Sequence, residues 1–188
     1  MTSAANGIQI ESPPEDLLKE PLLWFFAEHH RHRQICQKLT EQAGSVILDV
    51  NLIQEILTFL KVEMPLHIID EEDDLFPLLR RRCQPEDRLE RTLGQLSGEH
   101  ASDLDLGKNL IAVLEQALKN NRGLGTSRQS KDVVETFVTS QQRHIALENA
   151  VVLPIARSRL TKADKKSLAR RLAARRGLSD PFKKTKGK

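Results

Sequence analysis

The chain has 188 residues, enough for one well-buried domain but short for two, and no apolar run approaches the roughly 18–20 residues of a membrane span. Aromatic residues make up 4% and tyrosine is absent, which counts against a β-sandwich, whereas the abundance of Leu, Ala, Glu, Lys, Arg and Gln is typical of helices. The net charge of +3 conceals an acidic body and a basic tail, because residues 157–188 alone hold 13 basic and 2 acidic residues.

The pattern of apolar residues predicts four long helices. After a polar lead-in over residues 1–16, the first begins near Pro21 and stops around residues 43–45. The second starts near residues 49–51, ends near residue 82 and contains Pro65, which should kink it because the ring removes one backbone hydrogen bond. The third spans about 86–119 and the fourth about 130–158. Short connections between them predict an all-α, antiparallel up-down four-helix bundle over residues 17–159.

A short basic helix and a tail are predicted over residues 160–188. Residues 161–164 have the form of a capping box, the helix should end at Gly177, and the lysine-rich end should be disordered. The charge suits contact with nucleic-acid phosphate, an anionic surface or an acidic protein, although no DNA-binding motif is recognised and a solvated tail is the simplest expectation. The basic residues concerned are Lys165, Lys166, Arg170, Arg171, Arg175 and Arg176.

The expected compartment is the cytoplasm. The N-terminus has neither the basic region nor the apolar stretch of a secretory signal. Only two cysteines occur, Cys36 and Cys83, which argues against a disulfide scaffold and fits a reducing environment. We therefore expect a soluble protein.

One arrangement of chemically active residues occurs twice. A histidine, a glutamate four residues later and a proline six residues after the glutamate are found as His67, Glu71 and Pro77 and again as His144, Glu148 and Pro154. A Glu-His doublet also repeats, at Glu28-His29 and Glu99-His100. The chain therefore resembles a weak duplication in which the first two helices are echoed by the last two.

The spacing of the histidines predicts a common level in the bundle. In antiparallel helices, residues at one level are equidistant from the intervening turn. The midpoints between His29 and His67, His67 and His100, and His100 and His144 all fall within predicted turns. The four histidines should therefore form one layer, with each glutamate one turn from its histidine on the same helix face. Burying such groups is expensive unless they are paired, and metal coordination would offset that cost.

Four imidazoles and two carboxylates form a mixed nitrogen and oxygen donor set. Six donors are too many for one tetrahedral zinc ion. They suit two octahedral ions that share the glutamates as bridges and keep positions for a small ligand. The predicted metal ligands are His29, His67, Glu71, His100, His144 and Glu148.

At these residues the chain resembles the hemerythrin-like (HHE cation-binding) family, from about residue 21 to residue 158. The resemblance rests on the Glu-His doublets, on both His-x-x-x-Glu motifs and on the prolines that follow them. It implies a non-haem, oxo- or hydroxo-bridged di-iron centre that binds dioxygen, nitric oxide or peroxide, or that senses oxidants or iron. The residues alone supply only a two-metal site, and the resemblance supplies the iron.

The chain departs from the oxygen-carrying members of that family. Those members have two histidines four residues apart on the third helix, whereas here Leu96 and Leu104 flank His100 at that distance. With one ligand fewer, sensing or redox chemistry is expected rather than oxygen carriage. The first hypothesis is therefore a binding or sensing protein, and the alternative is a di-iron oxidoreductase that turns over peroxide or nitric oxide. In a third hypothesis, the bundle binds no metal and serves interactions only.

Some nearby polar residues compete for the same role. His30 and His32 compete with His29, which is favoured because it shares a helix face with apolar residues. His32 is a candidate extra ligand or outer hydrogen-bond donor. Glu63 is a candidate carboxylate ligand, although a solvated position is expected for it, and residues 72–74 are expected to be exposed charges.

Overall fold

The computed structural model describes residues 10–183, which contain helices and no strands. Five helices follow one another: α1 is Pro21–Ala43, α2 covers 50–82, α3 is Leu89–Asn120, α4 covers 128–159, and α5 is Lys162–Arg175. Short 3₁₀ turns occur at Glu15–Lys19, Pro85–Asp87 and Leu124–Thr126. Within this part of the chain, none of the helices combines the length and the apolar character needed to cross a membrane.

The helix starts follow local chemistry. Pro21 occupies the first turn of α1, where a missing N–H costs nothing. Asp49 caps α2 by accepting a hydrogen bond from the backbone N–H of Leu52 at 3.0 Å. Residues 161–164 form the predicted capping box at the start of α5, where Thr161 Oγ1 accepts from the N–H of Asp164 at 3.1 Å. The lysine-rich end beyond residue 183 lies outside the described residues.

Prolines and π-helical turns occur together in α2 and α4. The π-helical segments are Phe59–Glu63, Asp70–Leu75 and Glu148–Val152, and the second residue after each is a proline: Pro65, Pro77 and Pro154 respectively. A proline inside a helix lacks an N–H and crowds the carbonyl four residues earlier, and the wider π turn relieves both problems. Pro65, where a kink was predicted, is therefore accommodated by a π turn. The other two π segments carry Glu71 and Glu148.

The start of α3 differs from the prediction, and its glycines differ in their surroundings. The helix begins at Leu89, three residues later than predicted, because Pro85–Asp87 form a separate 3₁₀ turn and Arg88 adopts φ 48°. Gly94 and Gly98 lie in open surroundings, since a Cβ on either would meet nothing within 4 Å. Only Gly107 faces a neighbour at short range in this helix.

Two apolar clusters fill the core on either side of a polar layer. One cluster includes Phe25, Phe76 and Leu153, and the other includes Phe59 and Phe137. The predicted ligands fall between these clusters along each long helix. The core therefore encloses a buried band of polar side chains.

Candidate metal centre

The six predicted ligands lie together in the polar layer. The relative exposure of each of these residues is between 0 and 4%. They form two groups of possible cation ligands in which the donor atoms all lie within 4.8 Å of one another. The first group is His29, His67, Glu71 and Glu148, and the second is Glu71, His100, His144 and Glu148. Both glutamates belong to both groups.

The carboxylates of both glutamates contact histidines of both groups. Glu148 Oε2 lies 3.3 Å from His29 Nε2, while its Oε1 lies 3.2 Å from His144 Nε2. Glu71 Oε1 lies 3.8 Å from His29 Nε2, and its Oε2 lies 3.2 Å from His100 Nε2. Glu71 Oε2 also lies 3.5 Å from Nε2 of His67 in the first group. Because both glutamates contact histidines of both groups, the arrangement suits carboxylate bridges between two cations.

Each of the four predicted histidine ligands directs its Nε2 atom into the polar layer and its Nδ1 atom outwards. Nδ1 of His67 bonds Glu28 Oε2 at 3.1 Å, and Nδ1 of His100 bonds Glu72 Oε1 at 2.6 Å. Since carboxylate oxygens accept hydrogen bonds, these contacts place a proton on Nδ1. The Nε2 lone pair of the neutral ring is then free for a metal ion.

The other two histidines have comparable outer neighbours. Nδ1 of His29 bonds Asn149 Oδ1 at 2.9 Å. Nδ1 of His144 lies 3.3 Å from Glu99 Oε2 and 3.4 Å from an oxygen of Asp103, without hydrogen-bond geometry. The oxygens that adjoin the Nδ1 atoms thus form a ring, since α1 places one beside α2, α2 beside α3, α3 beside α4, and α4 beside α1.

Sequence reasoning missed this outer ring, although its signal was present. Four residues of this ring directly precede or follow predicted ligands in the sequence: Glu28, Glu72, Glu99 and Asn149. Glu72 is therefore a hydrogen-bond partner of His100 rather than an exposed charge. Asp74 was also expected to be exposed, but its residue exposure is 3% and it pairs with arginines of α5.

The remaining candidates lie outside both groups. His32 is buried with its ring edge-on to Phe59 at 4.6 Å and to His67 at 4.7 Å. Burial and the adjacent histidines hold the pKa of His32 well below its ordinary value. Glu63 accepts two bonds from the guanidinium of Arg31, at 2.6 and 2.9 Å, and so faces away from the predicted ligands.

The electrostatics favour an ionised Glu71 and charged imidazoles at His67 and His144 when no metal is bound. Burial would lower the pKa of His67, but Glu71 and Glu28 raise it to about 10. Burial would also lower the pKa of His144, but the contact with Glu148 raises it to about 9. Burial would raise the pKa of Glu71, but His67 and His100 hold it well below its ordinary value. Protons thus supply the positive charge that two buried carboxylates require.

Several inward atoms have no hydrogen-bond partner among the described residues. They are Nε2 of His29 and His67 and all four carboxylate oxygens of Glu71 and Glu148. Buried polar atoms without partners are rare in folded proteins and cost free energy. Two metal ions would satisfy these donors, so the residues present fit a two-metal centre.

A small cavity adjoins the second group. Its volume is about 10 Å³, enough for one molecule the size of water. Its lining residues are His32, Met64, His67, Ile68, His100, Asp103, Gln141 and His144. Any ligand beside this group is therefore limited to a few atoms.

Comparison with known proteins agrees with this geometry. The sequence model of the hemerythrin HHE cation-binding domain family matches residues 21–156. An uncharacterized protein of Haemophilus influenzae is 27% identical to this chain over 135 residues, which cover 69% of this chain and 74% of that protein. The matched range begins at α1, ends within α4 and contains all six predicted ligands.

Proposed function

The chain belongs to the hemerythrin HHE cation-binding domain family, and on that premise we propose that it holds two iron ions and binds or senses a small ligand through them. One ion is bound by His29 and His67 and the other by His100 and His144. Glu71 bridges the two ions together with Glu148. Bound iron supplies redox chemistry and exchangeable positions for dioxygen, nitric oxide or peroxide.

The observation that carries this proposal is that both glutamates belong to both groups of possible ligands. A single-ion site would need only one such group, and a purely structural ion pair would not leave all four carboxylate oxygens without hydrogen bonds. The mixture of imidazole and carboxylate donors suits iron, and it does not fit the closed tetrahedral site that structural zinc prefers.

The surroundings of the second ligand group support a small ligand. At the two positions of α3 four residues from His100, the chain carries Leu96 and Leu104, and both belong to or pack against the apolar clusters. This group therefore offers two histidines and the two shared carboxylates, which would hold an ion with few protein ligands. The adjacent cavity admits only a molecule of a few atoms.

We also propose that the four long helices form an antiparallel up-down bundle over residues 17–159, followed by the basic segment over residues 160–188. We further propose that the protein is located in the cytoplasm, as expected from the sequence. The contacts between α1 and α2 support this arrangement, because Glu28 bonds His67 whereas Arg31, further along α1, bonds Glu63, earlier in α2. The contacts between α3 and α4 also run in opposite directions along the two helices, as in an antiparallel pair. Leucines of α5 pack into the first apolar cluster, so the boundary at residue 160 separates two elements of one core.

Elemental analysis of protein purified without a metal-affinity tag tests the proposal. We expect about two irons per chain. Both should be lost together in His67→Leu and in His144→Leu, because the glutamates are shared. His30→Leu is the matched control, since His30 is exposed and adjoins His29. One zinc per chain, or no metal after reconstitution with ferrous iron, would overturn the proposal.

Stopped-flow reaction with peroxide or nitric oxide separates sensing from the alternative, a di-iron oxidoreductase. A protein that binds or senses its ligand reacts once per centre. Sustained turnover, well beyond one equivalent per centre and abolished by His144→Leu, would instead establish the enzyme.

A further inference from the structure

The helix α5 contacts the bundle beside the predicted metal centre. Leu168 and Leu172 are buried in the same apolar cluster as Phe25 and Phe76. Beside this apolar contact, arginines of α5 pair with acidic residues of α1 and α2. These arginines had been expected in a solvated tail, and the structure instead places them against the long helices.

Arg176 follows α5 and makes the contact nearest to the centre. Its Nη2 lies 2.7 Å from Glu28 Oε1 and 2.6 Å from Asp70 Oδ2. Its guanidinium lies 4.9 Å from the ring centroid of Trp24, and its side chain is only 13% exposed. The guanidinium is therefore held in place by two carboxylates and an aromatic ring.

Glu28 joins this arginine to a predicted ligand. One oxygen, Oε1, accepts from Arg176, and the other, Oε2, accepts from Nδ1 of His67 at 3.1 Å. The Glu28 side chain is 11% exposed, so water offers little replacement for either contact. Without the guanidinium, the carboxylate keeps its charge, loses its fixed orientation and no longer holds the His67 ring in one position.

We propose that Arg176 is a positioning residue for the metal centre and acts on His67 through Glu28. Hydrogen-bond partners of ligating histidines fix the orientation of the ring, and their loss commonly weakens metal binding by about 10- to 100-fold. Arg176 stands one contact further out, so we expect the lower end of that range. The inference rests on the proposed function for its role, but the hydrogen bond that it concerns exists without metal.

The neighbouring Arg175 provides a matched comparison. It pairs with Asp70 and with Asp74 Oδ2, the latter at 2.9 Å, and it has no contact with Glu28. Its removal weakens the attachment of α5 to α2 but leaves Glu28 bound to Arg176. Arg170 is a second control, because it lies on α5, is exposed and pairs with Asp180 at 2.9 Å.

The decisive measurement is the Nδ1–H signal of His67, recorded by NMR on the metal-free full-length protein. In Arg176→Ala, this signal should be lost through faster exchange with water, while the ring signals of His144 stay unchanged. Arg175→Ala and Arg170→Ala should retain the His67 signal. Arg176→Lys, which keeps a charged donor, should restore part of it.

Two results would overturn the inference. One is an unchanged His67 signal in Arg176→Ala. The other is an equal loss in Arg175→Ala, because that loss would come from detachment of α5 rather than from Glu28. Anaerobic titration with ferrous iron against a chelator supplies a second readout, with about 10-fold weaker binding expected in Arg176→Ala. If the wild type binds no iron, the proposed function fails, while the NMR comparison still decides the role of Arg176.

Discussion

Nδ1 of His29 lies 2.9 Å from Oδ1 of Asn149, the residue that follows Glu148. This contact closes a ring of outer acceptors around the layer of predicted ligands, in which the other members are carboxylates. An amide oxygen accepts the Nδ1 proton as a carboxylate does, but it brings no negative charge. Among the four predicted histidine ligands, His29 is thus the one whose outer neighbour is neutral.

Replacing Asn149 with alanine should weaken iron binding by about 10- to 100-fold, because the His29 ring loses the partner that fixes its orientation. Competition with a ferrous chelator under anaerobic conditions measures the change. Asn149→Asp keeps an acceptor oxygen and should bind iron at least as well as the wild type. If Asn149→Asp binds iron as weakly as Asn149→Ala, the acceptor oxygen at this position does not support iron binding.

The prolines after the two glutamate-bearing π segments should be needed for metal binding. In Pro77→Ala, the helix can return to regular α-helical hydrogen bonding, and a change of one residue in register turns a side chain by about 100°. Glu71 would then leave the layer. We expect iron affinity to fall by about 10-fold or more, since the shared bridge is lost, while the metal-free protein stays as stable or becomes more stable.

Pro65→Ala is the matched control for this substitution. Pro65 follows the π segment Phe59–Glu63, which carries none of the predicted ligands. Iron affinity should stay within about twofold of the wild type. A wild-type affinity in Pro77→Ala would show that the π turn does not position Glu71.

The sequence predicted the helices and the composition of the polar layer because both depend on periodic spacing. The repeated His-x-x-x-Glu motif and the equal distances of the histidines from the turns required only helix geometry. The six side chains do lie together, and their ligation of metal stays a prediction. The two-metal arrangement follows from one further fact, that each glutamate reaches both groups.

Other features depend on contacts that no spacing rule contains. The outer acceptor Glu28 adjoins His29 in sequence yet bonds His67 on another helix. The π turns arise from the competition of a proline with the helix around it, and a simple kink was an equally reasonable expectation. The position of α5 depends on the pairing of Arg175 and Arg176 with acidic residues that precede them by about a hundred positions.

The capping box of α5 should contribute a pH-dependent part of the stability. The hydrogen bonds from Arg82 hold the pKa of Asp164 well below its ordinary value of 3.8. A carboxyl with a depressed pKa stabilises the fold above its unfolded-state pKa, and this contribution is lost as the pH falls through the folded-state value. The Arg82 side chain is 45% exposed, so solvent screens part of this ion pair, and the hydrogen bonds of the cap add to its contribution.

Asp164→Asn should therefore lower the Tm at pH 7 by about 2–4 °C, the change that about 1 kcal/mol produces in a chain of this size. The difference from the wild type should shrink as the pH falls below about 4, because the carboxyl of the unfolded chain is then protonated while that of the folded chain is not, which favours unfolding of the wild type. Asp105→Asn, which breaks an exposed pair with Lys108, should leave the Tm nearly unchanged. A difference that persists undiminished at pH 2 would refute the role of ionisation.

Gly123 and Gly94 should respond to alanine in opposite directions. A Cβ on Gly123 would lie 2.3 Å from the backbone carbon of Val46, in the connection between α1 and α2, so the two segments would have to separate. A Cβ on Gly94, in the exposed interior of α3, meets nothing within 4 Å, and alanine there favours the helix by about 1 kcal/mol. In thermal unfolding at one fixed metal content, Gly94→Ala should raise the Tm and Gly123→Ala should lower it. A Gly123→Ala variant as stable as the wild type would mean that the connection at Val46 moves to accommodate the added methyl group with no loss of stability.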